Sequence, residues 1–350
     1  MVCLKQNSGK LWGRPDAIRA LLPPVTARPI LSAVTSLPSP TLEYRTVTEA
    51  CGLFDRSERG KLALTGSDAK SFLQGQVTND VEALTPGSGC YAAFLTPKGK
   101  MLGDLRILDA GDELLLDTER GALQELFNLI RRFSIGYDVE LHKRTVQRGL
   151  VSLIGPGADA IVAADDLAAS EHAHLSTDLA GLSVRAIRSD LGIDLLCAAD
   201  DTAALAAALA QRGVPRVSEA AAEAMRIERG RPRYGVDLDD TVIPQEAGLN
   251  ARAVSFTKGC SVGQETVARL YYRGKPNRQL RGLRLSALAS PGDEIVCDGR
   301  PVGRLGSVTD SPELGPIALA LVRREAPPGS SVSVGPDGIR AEVVELPFER

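Results

Sequence analysis

The order of strand-like and helix-like patterns along the chain constrains its fold more than any single motif does. Residues 49–54 resemble the end of a short helix, and an alternating strand follows over 61–65. Next come a short helical pattern, a hairpin over 90–108, a third strand and an amphipathic helix over 123–133. This order predicts an α+β unit with an antiparallel sheet.

A similar order recurs in the next part of the chain. A strand over 150–154 precedes a helical pattern over 158–169, and two further strands lead to an Ala/Leu helix over 203–210. We therefore expect a second α+β unit of similar size. An internal duplication is a reasonable interpretation of this similarity.

The C-terminal part of the chain has a different character. Between residues 280 and 346, short β-like runs follow one another closely and are separated by Gly and Pro turn signals, a pattern typical of a small all-β barrel. The predicted division is a poorly ordered extension over 1–40, a first α+β unit over 41–146, a second over 147–278 that carries the cysteine motif described below, and a C-terminal β-barrel over 279–350.

Charge and hydropathy exclude several classes of protein. The chain of 350 residues has 41 Lys and Arg against 44 Asp and Glu, a net charge of −3, so we do not expect a globally basic nucleic-acid binder. Its apolar runs fall short of the ~20 residues that a transmembrane helix needs, so we expect no membrane partner.

Cysteine usage indicates the compartment. The six cysteines are widely spaced, with no C-x-x-C pair, which argues against a zinc ribbon, a thioredoxin motif and a disulfide framework. Prolines and charges interrupt residues 1–40, where a secretory signal needs an unbroken apolar core. We therefore predict a cytoplasmic protein with reduced thiols. An organelle transit peptide is the weaker alternative.

Cys260 lies in the segment with the densest polar information. A glycine-punctuated loop, Gly259 to Gly263, precedes a helical pattern over 264–272. The free N–H groups at the start of that helix and the cation of Lys258 would both favour a thiolate. The two glycines would let a ligand approach the backbone. From residue types alone, an inert small cysteine in a glycine-rich loop is the alternative, since no base or second thiol lies nearby in sequence.

Three ordered strings carry a family resemblance. The string K-G-C-x-x-G-Q-E at 258–265 resembles the signature of the YgfZ-type folate-binding proteins, which are relatives of the glycine-cleavage aminomethyltransferases. R-I-E-x-G-x-P-x-Y-G at 226–235 and I-P-Q-E-A-G-L at 243–249 resemble the same family, as does the segment 52–81. The similarity covers roughly residues 45–350.

The resemblance implies a fold and a role. The fold is that of three units around a folate-sized channel, and the expected ligand is tetrahydrofolate or a derivative. The implied function is folate-dependent support of iron–sulfur cluster assembly or repair. The implied partners are iron–sulfur client enzymes, such as tRNA-modifying methylthiotransferases, or assembly proteins.

Site residues follow from the matched positions and their surroundings. The expected reacting groups are the Cys260 thiol, Lys258 to keep it ionised, and Asp104 as an acid–base group. The expected folate-binding residues are Gly259, Gly263, Gln264, Glu265, Asn79 and Arg269. No metal ligands are expected. Ser261 departs from the family, which usually has an aromatic residue there, and a stacking contact is thereby put in doubt.

An aminomethyltransferase acting on tetrahydrofolate is the alternative function. Those enzymes usually carry an acid in place of Cys260 and paired aspartates where this chain has Gly103-Asp104. The stretch 189–194 also lacks the glutamate of their G-E-x-G turn. Within the resemblance, loss of these carboxylates favours the first function.

Two further groups of residues have more than one interpretation. Residues 269–284 carry six cations and two tyrosines without an acid, which suits an anion site or RNA, although a solvated helix face is the simpler interpretation. The pair His172 and His174 could ligate a metal, but no partner lies near in sequence, and we expect an exposed loop there.

Overall fold

Antiparallel pairing organises residues 40–349, which are the residues described by this computed structural model. The extension predicted over residues 1–40 lies outside them except for its last residue. The strands are β1 Gly52–Asp55, β2 Gly60–Thr65, β3 Gly89–Leu95, β4 Met101–Asp109, β5 Leu114–Thr118, β6 Glu140–Lys143, β7 Arg148–Ile154, β8 His174–Leu179, β9 Leu182–Ser189, β10 Gly192–Ala198, β11 Arg278–Leu285, β12 Glu294–Cys297, β13 Arg300–Ser311, β14 Gly315–Arg323, β15 Ser331–Val334 and β16 Ile339–Val344.

Short helices connect and cover these strands. They are α1 Pro40–Glu49, α2 Ala69–Gln76, α3 Leu123–Phe133, α4 Ala158–Val162, α5 Thr202–Gln211, α6 Glu219–Glu228, α7 Asn250–Ala253 and α8 Gln264–Arg273, with a 3-10 turn at Ala199–Asp201. Within residues 40–349 no helix combines the length and apolar character that a bilayer crossing requires.

Two five-stranded sheets form the body of the protein. The first has the order β3-β4-β5-β2-β6, the second has the order β1-β7-β10-β9-β8, and every pair in both sheets is antiparallel. The predicted α+β class is therefore confirmed. Apolar side chains of α2 and α3 cover the first sheet, and those of α4 and α5 cover the second.

Two local predictions were wrong, one because of a distant strand pairing and the other at a left-handed residue. The helix α1 ends at Glu49, and residues 52–55 form β1, which pairs with β7 of the second sheet about 100 residues further on. The helix predicted over 158–169 stops at Val162 because Ala163 adopts the left-handed conformation (φ 52°). The predicted boundaries at 146 and 278 stay predictions.

The C-terminal strands close into the predicted barrel. Their order is β11-β14-β13-β12-β15-β16, and β16 returns to pair with β11. Side chains that alternate along the strands, among them Leu283, Ile295 and Val343, fill its interior. Full closure leaves no free sheet edge in this unit.

A buried ion network joins the two sheets. Arg106 on β4 donates from one guanidinium nitrogen to Asp194 of β10 (2.6 Å) and from the other to Asp117 of β5 (2.7 Å). Arg59 donates to the second oxygen of Asp117 (2.7 Å) and also pairs with Glu119. Burial alone would raise the pKa of Asp117 and Asp194, but the neighbouring arginine charges outweigh it and lower both pKa values.

Arg106→Ala is expected to lower the free energy of unfolding by about 3 to 5 kcal/mol, because it removes the arginine that pairs with the buried Asp194 and one of the two arginines that pair with Asp117. Arg45→Ala is the control, since Arg45 forms an exposed pair with Glu49 one helical turn away. Urea denaturation of the two variants measures the difference. Equal stability would show that the network does not hold the sheets together.

Candidate functional site

The cysteine motif lies on the first sheet, against the hairpin β3–β4. Apolar residues of the segment 238–267 form one buried cluster with side chains of that hairpin, including Leu95, Met101 and Val267. The Met101 N–H also donates to the carbonyl of Val242 (2.8 Å). The cluster also contains Ala93, which pairs with Asp104 across β3 and β4, so the segment that carries the motif lies on the same face of the sheet as Asp104.

Gln264 fixes the loop that precedes α8. Its buried side-chain oxygen accepts hydrogen bonds from the backbone N–H (2.8 Å) and hydroxyl (3.0 Å) of Ser261, and its amide donates to the carbonyl of Ser255 (3.0 Å). The side chain is therefore occupied within its own loop. Gln264 thus shapes the loop that presents Cys260, and its expected contact with the ligand stays a prediction.

The two glycines of the motif differ in their surroundings. Gly263 has φ +75°, and a Cβ there would lie 2.3 Å from the carbonyl oxygen of Thr96. Gly259 has no heavy atom within 4 Å of its Cβ position. Gly263 is therefore needed for close packing of the loop on the β3–β4 turn, whereas Gly259 borders open space and leaves room for a ligand.

Lys258 has partners other than the thiol. Its ammonium donates to the carbonyls of Gln74 (2.5 Å), Val77 (2.7 Å) and Asn79 (3.0 Å), at and beyond the C-terminal end of α2. An ammonium has three N–H donors, so none is left for Cys260. Burial lowers the pKa of Lys258 to about 8. Carbonyls at the helix end account for the position of this cation, and the expected role of Lys258 in ionising Cys260 stays a prediction.

Cys260 itself is exposed. It lies on the loop surface three residues before Gly263, which directly precedes α8. The loop is anchored on both sides of the thiol, through Lys258 and through Ser261. The thiol therefore faces solvent from a fixed position. Its role as the reacting group stays a prediction.

Asp104 forms a buried pair with a tyrosine. It lies on β4, and its side chain accepts a hydrogen bond of 2.5 Å from the hydroxyl of Tyr91 on the neighbouring strand β3. Burial raises the pKa of Asp104 to about 6, with the nearby charges of Glu119 and Arg59 acting in opposite directions. A carboxyl group with this pKa can both give and take a proton near neutral pH.

The side chain of Asn79 forms hydrogen bonds with backbone groups of three other residues. Its amide donates to the carbonyls of Tyr91 (2.9 Å) and Arg252 (3.1 Å), and its oxygen accepts from the N–H of Asp80 (2.9 Å). Asn79 therefore ties α7 to β3. The expectation that it contacts the ligand stays a prediction, and this tie is the contact the structure shows.

Arg252 completes a polar group that sequence reasoning missed. Its guanidinium lies 5.3 Å from the centre of the Tyr91 ring and pairs with Glu171. Three buried polar atoms at this position have no hydrogen-bond partner. They are Nε of Arg252 itself, Oδ1 of Asn250 on the same helix, and Nδ1 of His172, which follows Glu171 in the chain. The only sequence signal was their neighbourhood, since Asn250 and Arg252 directly follow the string at 243–249.

The two histidines are not in an exposed loop. His174 is buried in β8, and its ring nitrogen Nδ1 lies 2.9 Å from a guanidinium nitrogen of Arg185. His172 is largely enclosed, and burial lowers the pKa of both imidazoles to about 4. The prediction of an exposed loop was therefore wrong: His174 lies within β8, and His172, in the turn before β8, donates its backbone N–H to the carbonyl of Arg188 on β9 (3.0 Å).

Glu265 and Arg269 share no hydrogen bond or ion pair with Asp104 or Tyr91. Both are exposed on α8, and neither forms an ion pair with another residue of 40–349. The basic stretch itself is divided, since Arg278 pairs with Glu246 and Arg281 with Glu345. Ligand binding by Glu265 and Arg269 stays a prediction.

Two antiparallel sheets followed by a closed six-stranded barrel define a recognisable class of α+β protein. The family description "GCVT N-terminal domain" matches residues 32–258, and "Glycine cleavage T-protein C-terminal barrel domain" matches residues 278–349. The chain therefore belongs to the glycine cleavage T-protein family.

Individual relatives agree with this assignment. A chloroplastic protein of Arabidopsis thaliana, named as a transferase, is 30% identical over 84% of this chain and 70% of its own length. The aminomethyltransferase of Bacillus subtilis is 29% identical over 87% of this chain and 90% of its own. The crystal structure of the glycine cleavage system aminomethyltransferase T from Bartonella henselae has the same fold, with a TM-score of 0.80, 24% identity and coverage of 89% of both chains.

The position of the paired carboxylates, 103–104, lies against α3. A Cβ on Gly103 would lie 3.0 to 3.2 Å from three side-chain carbons of Leu126, so an aspartate there would require the Leu126 side chain to shift slightly. The acids of 189–194 are engaged elsewhere, since Asp190 pairs with Arg231 and Asp194 with Arg106. Asp104 is the carboxylate of this group that is bonded to Tyr91.

Gly263→Ala should lower the free energy of unfolding by about 2 to 4 kcal/mol, since it combines a left-handed backbone with a clash against Thr96. Gly259→Ala is the matched variant, and its stability should stay within about 0.5 kcal/mol of the parent. Chemical denaturation gives both values. Similar losses in the two variants would contradict the different roles assigned to these glycines.

Asp104→Asn should stabilise the protein near neutral pH. The folded-state pKa of about 6 lies above the usual aspartate value of 3.8, so the folded state binds the proton more tightly. The contribution of this carboxyl to stability therefore falls as pH rises from about 4 to 6. Over that pH window the variant should therefore become more stable than the parent. Above pH 6 the difference in the free energy of unfolding should level off at about 1 to 3 kcal/mol.

Asp117→Asn provides the comparison of opposite sign. Its carboxylate pairs with Arg59 and Arg106, and their charges lower its pKa, so the substitution should destabilise the protein throughout the neutral range. Urea titrations at pH values between 4 and 8 compare the two variants. A parallel loss in Asp104→Asn would show that Asp104 is ionised at little cost.

Proposed function

We propose that this chain is a YgfZ-type member of its family, which binds a reduced folate and uses Cys260 to support iron–sulfur cluster assembly or repair. One observation carries the proposal: Cys260 is exposed on a loop that is anchored on both sides. The fixed and accessible thiol fits a role toward a large partner, such as an iron–sulfur enzyme.

The residues around Tyr91 fit a pterin. A pterin ring is flat, with alternating donors and acceptors at its edge. The buried atoms Arg252 Nε, Asn250 Oδ1 and His172 Nδ1 supply unused donor and acceptor capacity. Because burial lowers the pKa of His172 to about 4, its ring is neutral at pH 7 and could accept or donate one hydrogen bond through Nδ1.

Tetrahydrofolate would supply one-carbon chemistry at its ring nitrogens when bound. The protein's own contribution follows from the residues that surround the proposed position. Tyr91 and Arg252 would orient the ring, and Asp104 would hold or release a proton at its carboxyl group close to neutral pH. Gly259, with open space beside it, would leave room for the remainder of the ligand.

Cys260 would act outside the proposed folate site. A thiolate is the usual protein ligand of iron–sulfur clusters and a nucleophile toward sulfur. An exposed thiol stays reduced only in a reducing compartment, which suits the cytoplasm. The proposed clients are iron–sulfur enzymes, including tRNA-modifying methylthiotransferases, and the proposal requires no direct contact with nucleic acid.

Aminomethyl transfer to tetrahydrofolate is the second candidate. It is favoured by the Asp104–Tyr91 pair, whose acid has a pKa of about 6, and by the name of the Bacillus subtilis relative. Cys260 has no evident part in that reaction. The first function accounts for the thiol as well as for the polar residues around Tyr91.

Calorimetric titration with tetrahydrofolate tests the ligand. Arg252→Ala should weaken binding by roughly ten- to a hundredfold, since it removes one cation that would contact the ring. Cys260→Ala should bind folate within about twofold of the parent. The same Cys260→Ala variant, replacing the parent in cells, should lower the activity of iron–sulfur enzymes.

A turnover assay separates the two candidates. The protein is incubated with tetrahydrofolate and excess aminomethylated lipoyl carrier protein, and methylenetetrahydrofolate is measured. The proposed function predicts no turnover above the blank. Turnover that is abolished by Asp104→Asn and kept by Cys260→Ala would establish the transferase instead.

A further inference from the structure

Three aromatic rings form an exposed cluster beside the cysteine loop. Phe256 stacks on Tyr271 of α8 with ring centres 4.1 Å apart and planes inclined by 15°, and Tyr272 meets both rings edge-on, at 6.2 and 5.0 Å. Tyr271 is 48% exposed and Tyr272 68% exposed. Exposed, preassembled aromatic side chains are enriched where proteins dock, because they bury much area at small entropic cost.

Exposed cations adjoin this cluster. Arg269 and Arg273 lie on α8 and Lys275 follows it, and none of the three pairs with an acid among residues 40–349. Further along the chain, in contrast, Arg278 and Arg281 have carboxylate partners. The end of α8 therefore presents positive charge that the fold itself does not neutralise.

We propose that this aromatic–basic surface, formed by Phe256, Tyr271, Tyr272, Arg269, Arg273 and Lys275, docks an acidic segment of a partner protein. Its aromatic rings would contact apolar side chains of the segment, and its cations would pair with Asp and Glu. This proposal rests on the proposed function in one respect: the partner protein would be one of the iron–sulfur client enzymes.

The arrangement of the rings favours a protein over single-stranded RNA. Bases bind by stacking on open aromatic faces. Here Phe256 and Tyr271 each use one face on the other, and Tyr272 is directed edge-on to both. Because the Tyr272 plane is inclined by 71° and 76° to the other two, the three rings do not form one platform for successive bases, whereas ring edges and tyrosine hydroxyls can contact side chains and backbone amides of a peptide.

The position of the surface links docking to the thiol. Phe256 lies in the anchored loop four residues before Cys260, and Tyr271 lies on the helix that follows the loop. A segment held by the rings would therefore shield Cys260 from solvent and bring the partner to it. This gives a measurement that is independent of folate binding.

Fluorescence anisotropy with a labelled 12-residue peptide of repeated Glu-Leu-Asp-Gly tests the surface in the full-length protein. The matched probe has Gln and Asn in place of Glu and Asp. The acidic peptide should bind at least tenfold more tightly than the amide peptide and should weaken with added salt. Failure of the acidic peptide to bind, or equal affinity for both peptides, overturns the proposal.

Charge-reversal variants locate the binding. Arg273→Glu with Lys275→Glu, and separately Tyr272→Ala, should each reduce affinity at least tenfold. Arg131→Glu with Arg132→Glu is the control, since these exposed arginines of α3 also adjoin an exposed ring, Phe133. An equal loss in the control, or tighter binding of a 12-nucleotide oligouridine than of the acidic peptide, would refute a protein-docking surface.

Thiol reactivity and folate titration separate the two proposals. Bound peptide should slow the reaction of Cys260 with a thiol reagent at least threefold, measured as the difference between the parent and Cys260→Ala. The docking variants should still bind tetrahydrofolate like the parent. If the parent protein does not bind tetrahydrofolate, the proposed function is wrong. The peptide measurements would still decide whether the docking surface exists.

Discussion

The site depends on a cation placed at the end of a helix. Lys258 directs its ammonium into the carbonyls of Gln74, Val77 and Asn79, and so attaches the cysteine loop to the C-terminal end of α2. The contact satisfies carbonyls that the helix cannot satisfy by itself, and it places a positive charge where the helix dipole is negative. Gly263 adds a second attachment, because it lets the same loop pack directly on the β3–β4 turn.

The anchored loop and the buried acid have different electrostatic characters. Asp104 sits among buried groups where its own charge is costly, so its pKa moves toward neutrality. Cys260 sits at the surface, with its loop held by hydrogen bonds rather than by burial. One part of the site therefore holds a carboxyl group that can exchange a proton in an enclosed setting, while another presents a thiol to solvent. The proposed roles toward a small ligand and toward a large partner use these two settings separately.

The arginines around Asp117 connect this site to the rest of the fold. Arg59 links Asp117 to Glu119, which also pairs with Arg233, and Arg106 continues the connection to Asp194 in the second sheet. The positions of the two sheets and the charge that surrounds Asp104 thus share the same side chains. A change in this network would alter stability and the acidity of Asp104 together.

Sequence alone determined the features that depend on neighbouring residues. The alternation of apolar residues, the Gly and Pro turns of the tail and the glycine-bounded loop before α8 all specify local backbone, and the α+β class, the closed barrel and the helix at 264 follow from them. Tertiary structure decided the partners. Lys258 meets residues 184 positions away at Gln74, Arg252 meets Glu171 81 positions away, and β1 joins the second sheet. These pairings follow from how the chain packs in three dimensions, and no local pattern encodes which buried charge or carbonyl will lie within reach.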